Sequence, residues 1–257
     1  MRKHFIITFF ILSLFSFNCK NNNSADNKTS VLVLGAIHSE HKRNPNYSFD
    51  CLFNIIDRFK PDVVGIEIRS EDMNEPDNYL KKSYPPDMIQ IKKRYFGKKI
   101  VVGFDWLGEN LEGKLIPENY WTYMPTKILE REFDKDSSIS TINIKKEINI
   151  YDSLKMVIFK NGNAIELNTK YDSINYVFYD RFKALTYNTK YEKISNFYTS
   201  RDNHIDENMI KIIKKYNNKR IIFVTGVDHK VYAIAAIKKE FNNKIEIIDL
   251  KNIINAR

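Results

Sequence analysis

The run VLVLGAI, Val31–Ile37, holds no charged or hydrogen-bonding side chain, and it stops at a histidine, His38. Its length is that of a strand. A strand with no apolar/polar alternation is one covered on both faces, as in a parallel sheet flanked by helices. Working outward, the same kind of run recurs at Asp62–Ile68 (DVVGIEI), Ile100–Phe104 (IVVGF), Arg220–Gly226 (RIIFVTG) and Lys244–Leu250 (KIEIIDL). Between the first two runs, Leu52, Ile55, Ile56 and Phe59 recur at helical spacing and Pro61 stops the helix. A short helix from Asp87 with Gly97 as its stop precedes Ile100–Phe104. Later helices are marked by Met209, Ile212, Ile213 and Tyr216, and by Lys230–Phe241. Strand, helix, strand in such short order predicts an α/β fold: a mostly parallel sheet flanked by helices.

The scheme breaks between about Leu107 and Tyr198. Ile174, Val177, Phe178, Phe182 and Leu185 share one helical face there, and Ile150, Leu154, Val157 and Ile158 fit another. TINIKKEINI also alternates, so its element type stays open. The segment reads as a largely helical insertion or cap over residues 107–198. No repeat of 20 to 50 residues is present.

The chain has 257 residues, 43% of them hydrophobic, enough for one substantial core. It opens with Arg2 and Lys3, an apolar stretch Phe5–Phe17 and Cys19. That stretch is too short for a membrane span and right for a secretory signal. A cysteine directly after it resembles a bacterial lipoprotein site, although Phe15-Ser16-Phe17-Asn18 departs from the usual Leu-Ala-Gly type of lipobox. The expected organisation is a signal peptide at 1–18, lipidation of Cys19, a flexible tether at 19–30 and one domain at 31–257. The protein would then be exported to the cell envelope and held to a membrane by lipid. The net charge of +9 is spread as lysines, without a basic stripe interleaved with aromatics, and points away from nucleic acid. Cys51 lies among apolar residues and reads as a small core side chain.

The chain has 8 glycines and 5 histidines, so a repeated Gly-x-x-His is informative. Gly35-Ala-Ile-His38 and Gly226-Val-Asp-His229 each follow a buried run. In a parallel sheet both lie at the carboxyl edge, where such folds build their sites. Glu67, Arg69 and Asp105 end the neighbouring runs at the same edge. Two imidazoles and a carboxylate suit a divalent ion, Zn²⁺, Mn²⁺, Co²⁺ or Fe²⁺, whose bound water would be the nucleophile. The bland reading is that His38 and His229 only hold neighbouring loops. Further on, Ser200-Arg-Asp-Asn-His204 reads as a helix start, with Ser200 or Asp202 as N-cap. Arg201 is out of place there on electrostatic grounds and suits a substrate carboxylate or an oxyanion.

A strand ending in Gly-x-x-His, a second strand PDVVGIE, a late Arg-Asp helix and a second Gly-x-x-His resemble the TraB/Tiki superfamily. That group takes in GumN-like proteins and, more distantly, erythromycin esterase-like and ChaN-like proteins. The resemblance covers Val31–Phe104 and Phe197–Leu250. It implies a metal-dependent hydrolase, a protease in the Tiki branch, with His38, Glu67 and His229 at the metal. It further implies Arg201 at the substrate, Asp105 as a less secure match, and Gly35, Gly226 and Asp202 in support. Glu67 or Asp105 would serve as general base on a peptide or small-molecule substrate. Ala36 stands where Thr is frequent, and His41 and His204 are outside the pattern. The alternative is a non-catalytic lipoprotein that binds haem, iron or a peptide signal, as ChaN-like members bind haem. The 15 tyrosines, many of them in the middle segment, would supply ligands.

Overall fold

The structure is a computed structural model and describes residues 28–255. The expected signal peptide, Cys19 and most of the tether lie outside the described residues. The strands are β1 (Ser30–Ala36), β2 (Val63–Arg69), β3 (Ile100–Asp105), β4 (Arg220–Gly226) and β5 (Glu246–Ile247). They form one sheet of order β3-β2-β4-β1-β5, parallel throughout.

Both faces of the sheet are covered, which is why the strand sequences do not alternate. Leu32 and Leu34 of β1 face one core with Leu52, Ile55, Ile56 and Phe59 of α1 (Phe49–Phe59). Val31 and Val33 face the other core, with Ile205, Met209 and Ile213 of α9 (Glu192–Lys215) and Ala233 and Ile237 of α10 (Val227–Phe241). Each fully buried aliphatic side chain contributes about 1.5–3 kcal/mol. Ser48 caps α1 by accepting from the Cys51 N–H, and Lys60 ends it in the left-handed region before Pro61. Cys51 is half-buried against this core.

Two short helices, α2 (Asp77–Ser83) and α3 (Pro86–Tyr95), lie between β2 and β3. Between β3 and β4 the chain is helical: α4 (Tyr120–Tyr123), α5 (Pro125–Lys135), α6 (Ile139–Asn161), α7 (Ala164–Leu167), α8 (Lys170–Thr186) and then α9. The last helix is α11 (Leu250–Asn255). The middle segment has a small core of its own, built on Phe133, Ile144, Ile148, Phe182, Tyr191 and Ile194. Among the described residues no helix is long and apolar enough to cross a membrane.

Several expected boundaries move. The tether does not reach residue 30: Thr29 is already buried, donating to Asn217 Oδ1 (2.9 Å) and accepting from the Asn218 N–H (2.7 Å). The insertion does not stop at Tyr198, because α9 runs from cap to core without a break. TINIKKEINI is helix, within α6. That helix turns Ile144 and Ile148 inward and leaves Ile150, Leu154 and Val157 exposed. The inward position further along is Lys155, whose ammonium lies 3.2 Å from Asp228 and 4.3 Å from the Phe178 ring centre. The final strand pairs over only two residues before α11 begins.

Arg69 ends β2 beside Asp105, but its side chain does not join the cluster there. Its guanidinium is buried, ion-paired to Asp72 (2.7 Å), and donates to the carbonyls of Leu111 (2.6 Å) and Lys114 (2.9 Å). It clamps the loop after β3 rather than serving the edge chemistry.

Candidate active site

The register brings the two Gly-x-x-His motifs level. Gly35 sits beside Thr225 and Ala36 beside Gly226, on adjacent strands. On the other side of β4, Ile66 pairs with Val224, so Glu67 falls next to Thr225. Glu67 Oε2 accepts from the Thr225 hydroxyl (2.9 Å) and the Gly226 N–H (2.6 Å). Its Oε1 accepts from Arg201 Nη2 at 2.8 Å. Arg201 Nη2 and Nε also donate to Asp105 Oδ1 (2.8 and 3.1 Å), and Nε reaches the Trp106 carbonyl (3.1 Å). One buried guanidinium thus holds two buried carboxylates. Burial pushes the Glu67 carboxyl up, but His229, Arg201 and His38 outweigh it and hold it at about 2. Burial pushes Asp105 up, and the Glu67 charge adds to that rise against Arg201.

His229 is not in a loop but in the first turn of α10. Its Nδ1 lies 2.5 Å from Asp202 Oδ1, and its Nε2 lies 3.2 Å from Arg201 Nη1 and 3.6 Å from Glu67 Oε1. The Arg201 contact requires an unprotonated Nε2, hence the neutral tautomer with its proton on Nδ1, donated to Asp202. Burial pulls the imidazolium down and Glu67 and Asp202 pull it up, with a net rise. The ring therefore has a second, charged state that pairs with Glu67 instead.

His38 stands at the mouth. Its side chain is 36% exposed, whereas those of Glu67, Asp105, Arg201 and His229 are 11% exposed or less. Its backbone is in the left-handed region (φ 52°), which a non-glycine residue adopts only at some strain. Its Nδ1 lies 3.2 and 3.3 Å from the carboxylate of Asp87, a residue with no exposure. Burial pulls the His38 imidazolium down. Asp87, Glu67 and Asp228 overcome this and raise it to about 9.

Comparison with known proteins adds little to this geometry. No family model and no curated protein matches the chain. A mutant of the erythromycin esterase EreC, solved in its open conformation, is similar over 78% of this chain and 61% of that one, at 14% identity and TM-score 0.32. The chain spans 61% of that structure's length. At that TM-score the likeness assigns neither a fold nor a residue. It does not single out the TraB/Tiki group.

His38, Glu67, Asp105, Arg201 and His229 come together, but not as ligands arranged around an ion. Both oxygens of Glu67 are engaged, and the guanidinium occupies the side of Glu67 Oε1 and His229 Nε2 that a metal would take. A divalent ion there would sit against a buried cation. Among the described residues no group of three His, Cys, Asp or Glu has the arrangement to hold a metal. These residues do not fit the expected ion. Arg201 and Asp202 also do not open a helix, since they lie in the interior of α9. Ser200 and Asp202 are therefore not N-caps, and the helix-dipole objection to Arg201 lapses.

Asp87 was not visible in the sequence. It follows Pro85 and Pro86, where an aspartate reads as an ordinary first-turn helix acid. His41 is buried and structural, accepting from the Ile37 N–H (3.1 Å) and bonded to the Tyr47 carbonyl (2.6 Å). Its burial lowers its pKa and keeps it neutral. His204 stacks on Trp106 at 4.0 Å between ring centres, behind the carbonyl that Arg201 uses.

The two motif glycines have different reasons. A Cβ on Gly35 would meet Val227 Cγ1 at 2.8 Å and the Val227 backbone at 3.2 Å, so Gly35 serves the packing of α10 on β1. A Cβ on Gly226 would meet His38 Nε2 at 2.9 Å and Glu67 Oε2 at 3.5 Å. Gly226→Ala should displace the His38 ring, which can swing outward. Stability should change by about 1 kcal/mol or less, while turnover should fall by roughly a hundredfold because reacting groups are misplaced. Thermal melts and steady-state rates on the same preparation would check this; unchanged turnover would sink it.

Proposed function

We propose that this protein is a hydrolase of esters or amides, with His38 as general base, Asp87 as the group that orients it, and Arg201 as the holder of the developing oxyanion. The observation that supports it is His38 itself: the solvent-reached imidazole of the cluster is backed by a fully buried carboxylate. Glu67 is poorly placed to act as a base, because both its oxygens accept from Arg201, Thr225 and the Gly226 N–H, while Asp105 takes Arg201 and the Trp106 N–H on Oδ1 alone. A guanidinium has five N–H groups. Asp105, Trp106, Glu67 and His229 engage four, leaving one on Nη1 for a substrate oxygen.

The reaction follows from these positions. His38 Nε2 takes a proton from water as the water oxygen bonds to the carbonyl carbon. The oxyanion that forms is met by Arg201. When the tetrahedral species collapses, the bond to the leaving oxygen or nitrogen breaks. That atom then takes the proton back from His38. No step passes through a metal.

The pH dependence tests the assignment. A base held at about 9 is mostly protonated at neutrality. Below that value, kcat/KM should rise roughly tenfold per pH unit and level off above it. Asp87 raises the His38 pKa, so in Asp87→Asn the plateau should arrive at a lower pH. Esters and peptide amides of varied acyl groups serve as the substrate panel. A rate that falls as pH rises from 7 to 9 would make His38 an acid and end the proposal as stated.

A further inference from the structure

A cleft of about 370 Å³ lies between α8, α9 and α10, on the far side of Asp202 from His229. Its walls carry Tyr176, Tyr179, Tyr198 and Tyr232, and Asp202 and Asp206 lie along α9 between them. The rings form a continuous series, with centres 6.1 Å apart for Tyr176–Tyr232 and 6.5 Å for both Tyr179–Tyr232 and Tyr179–Tyr198. Asp206 Oδ1 is shut off from solvent and has no hydrogen-bond partner among the described residues.

We propose that this cleft binds a protonated amine or quaternary ammonium group of the substrate. Aromatic faces attract cations through their quadrupoles, and a carboxylate among them adds charge without demanding a directional bond. With no donor on Oδ1 the Asp206 charge is poorly compensated, and a cation seated in the cleft, quaternary ammonium or protonated amine, offsets it through space. Burial and then the Asp202 charge push the Asp206 carboxyl up to about 7, which a cation in the cleft would reverse. Asp180, Lys183 and Lys239 are exposed at the rim, so the negative charge of the interior comes from Asp202 and Asp206. The cleft adjoins the reacting groups through Asp202, whose Oδ1 meets His229 Nδ1. An amine seated there would fix one end of a molecule whose carbonyl lies near Arg201.

The role as a substrate subsite rests on the hydrolase reading; the binding does not, and it is measured without turnover. Choline and 3,3-dimethylbutan-1-ol share a shape and differ by one charge. Titrated into the full-length protein and followed by calorimetry or ligand-observed NMR, choline should bind at least tenfold more tightly. That preference should vanish in Asp206→Asn and weaken several-fold in Tyr232→Leu, with folding verified by circular dichroism. Choline binding should survive in His38→Ala. Equal affinity for the two probes, or a preference untouched by both cleft substitutions, would overturn the proposal. An active His38→Ala that still binds choline would remove the hydrolase reading and leave the cation site standing.

Discussion

Folded His38→Ala should hydrolyse the best substrate about 10²–10⁴-fold more slowly than the parent, the usual contribution of a positioned base. The substitution leaves buried Asp87 without its partner and should cost about 1–3 kcal/mol, so circular dichroism on each preparation confirms folding before rates are compared. His38→Gln keeps a polar group of similar size but cannot accept and return a proton, so it should be nearly as inactive. The comparison separates proton transfer from simple filling of space. Full activity in either variant would remove His38 from the chemistry.

Arg201→Met should cost about 3–5 kcal/mol of stability, because it leaves two buried carboxylates without their cation. Glu67 and Asp105 are each within 2.8 Å of that guanidinium and are 4% and 5% exposed. Such a loss is a large fraction of a domain's stability. Adding Glu67→Gln and Asp105→Asn to Arg201→Met should recover more than half of it, since the remaining groups are then neutral. Urea unfolding of the parent, single and triple variants gives the comparison. A single-variant loss under about 1 kcal/mol would show that the guanidinium is not holding the pair. The acid side carries the same signature. Glu67 titrates at about 2 when folded, below the usual range. The stability it contributes is present above pH 4.5 or so and is lost as pH falls through 2. Arg201→Met should blunt that loss.

Much of this arrangement could be read from the chain. Uninterrupted apolar runs revealed a two-faced parallel sheet, and equal Gly-x-x-His spacing revealed that two strand ends face the same chemistry. Strand ends alone place His38, Glu67, Asp105 and His229 at one edge; Arg201 joins them from the interior of α9, which no strand end foretells. What stayed hidden is the company each residue keeps. Two histidines and a glutamate have metal-ligand character in a sequence, and only their geometry shows a guanidinium on the inner side. Asp87 carries no local pattern, because its meaning comes from a histidine 49 residues away. Arg201 was misplaced on its helix because Ser200 and Asp202 have N-cap character, while Ile194 and Ile205 continue one helical face. The middle segment was legible as helix but not in phase, since buried Lys155 takes a position that apolar periodicity would give to leucine or valine.

The pairing of β1 with β4 has a consequence for how the protein comes into being. The strand that completes the sheet's centre, and with it Thr225, Gly226 and His229, is made after β1, β2, β3 and the helical segment that follows β3. Until then β1 and β2 have no shared neighbour and the edge carrying His38 and Glu67 has no floor. The cluster comes together only when β4 closes between β1 and β2, so any chemistry it performs waits on that closure.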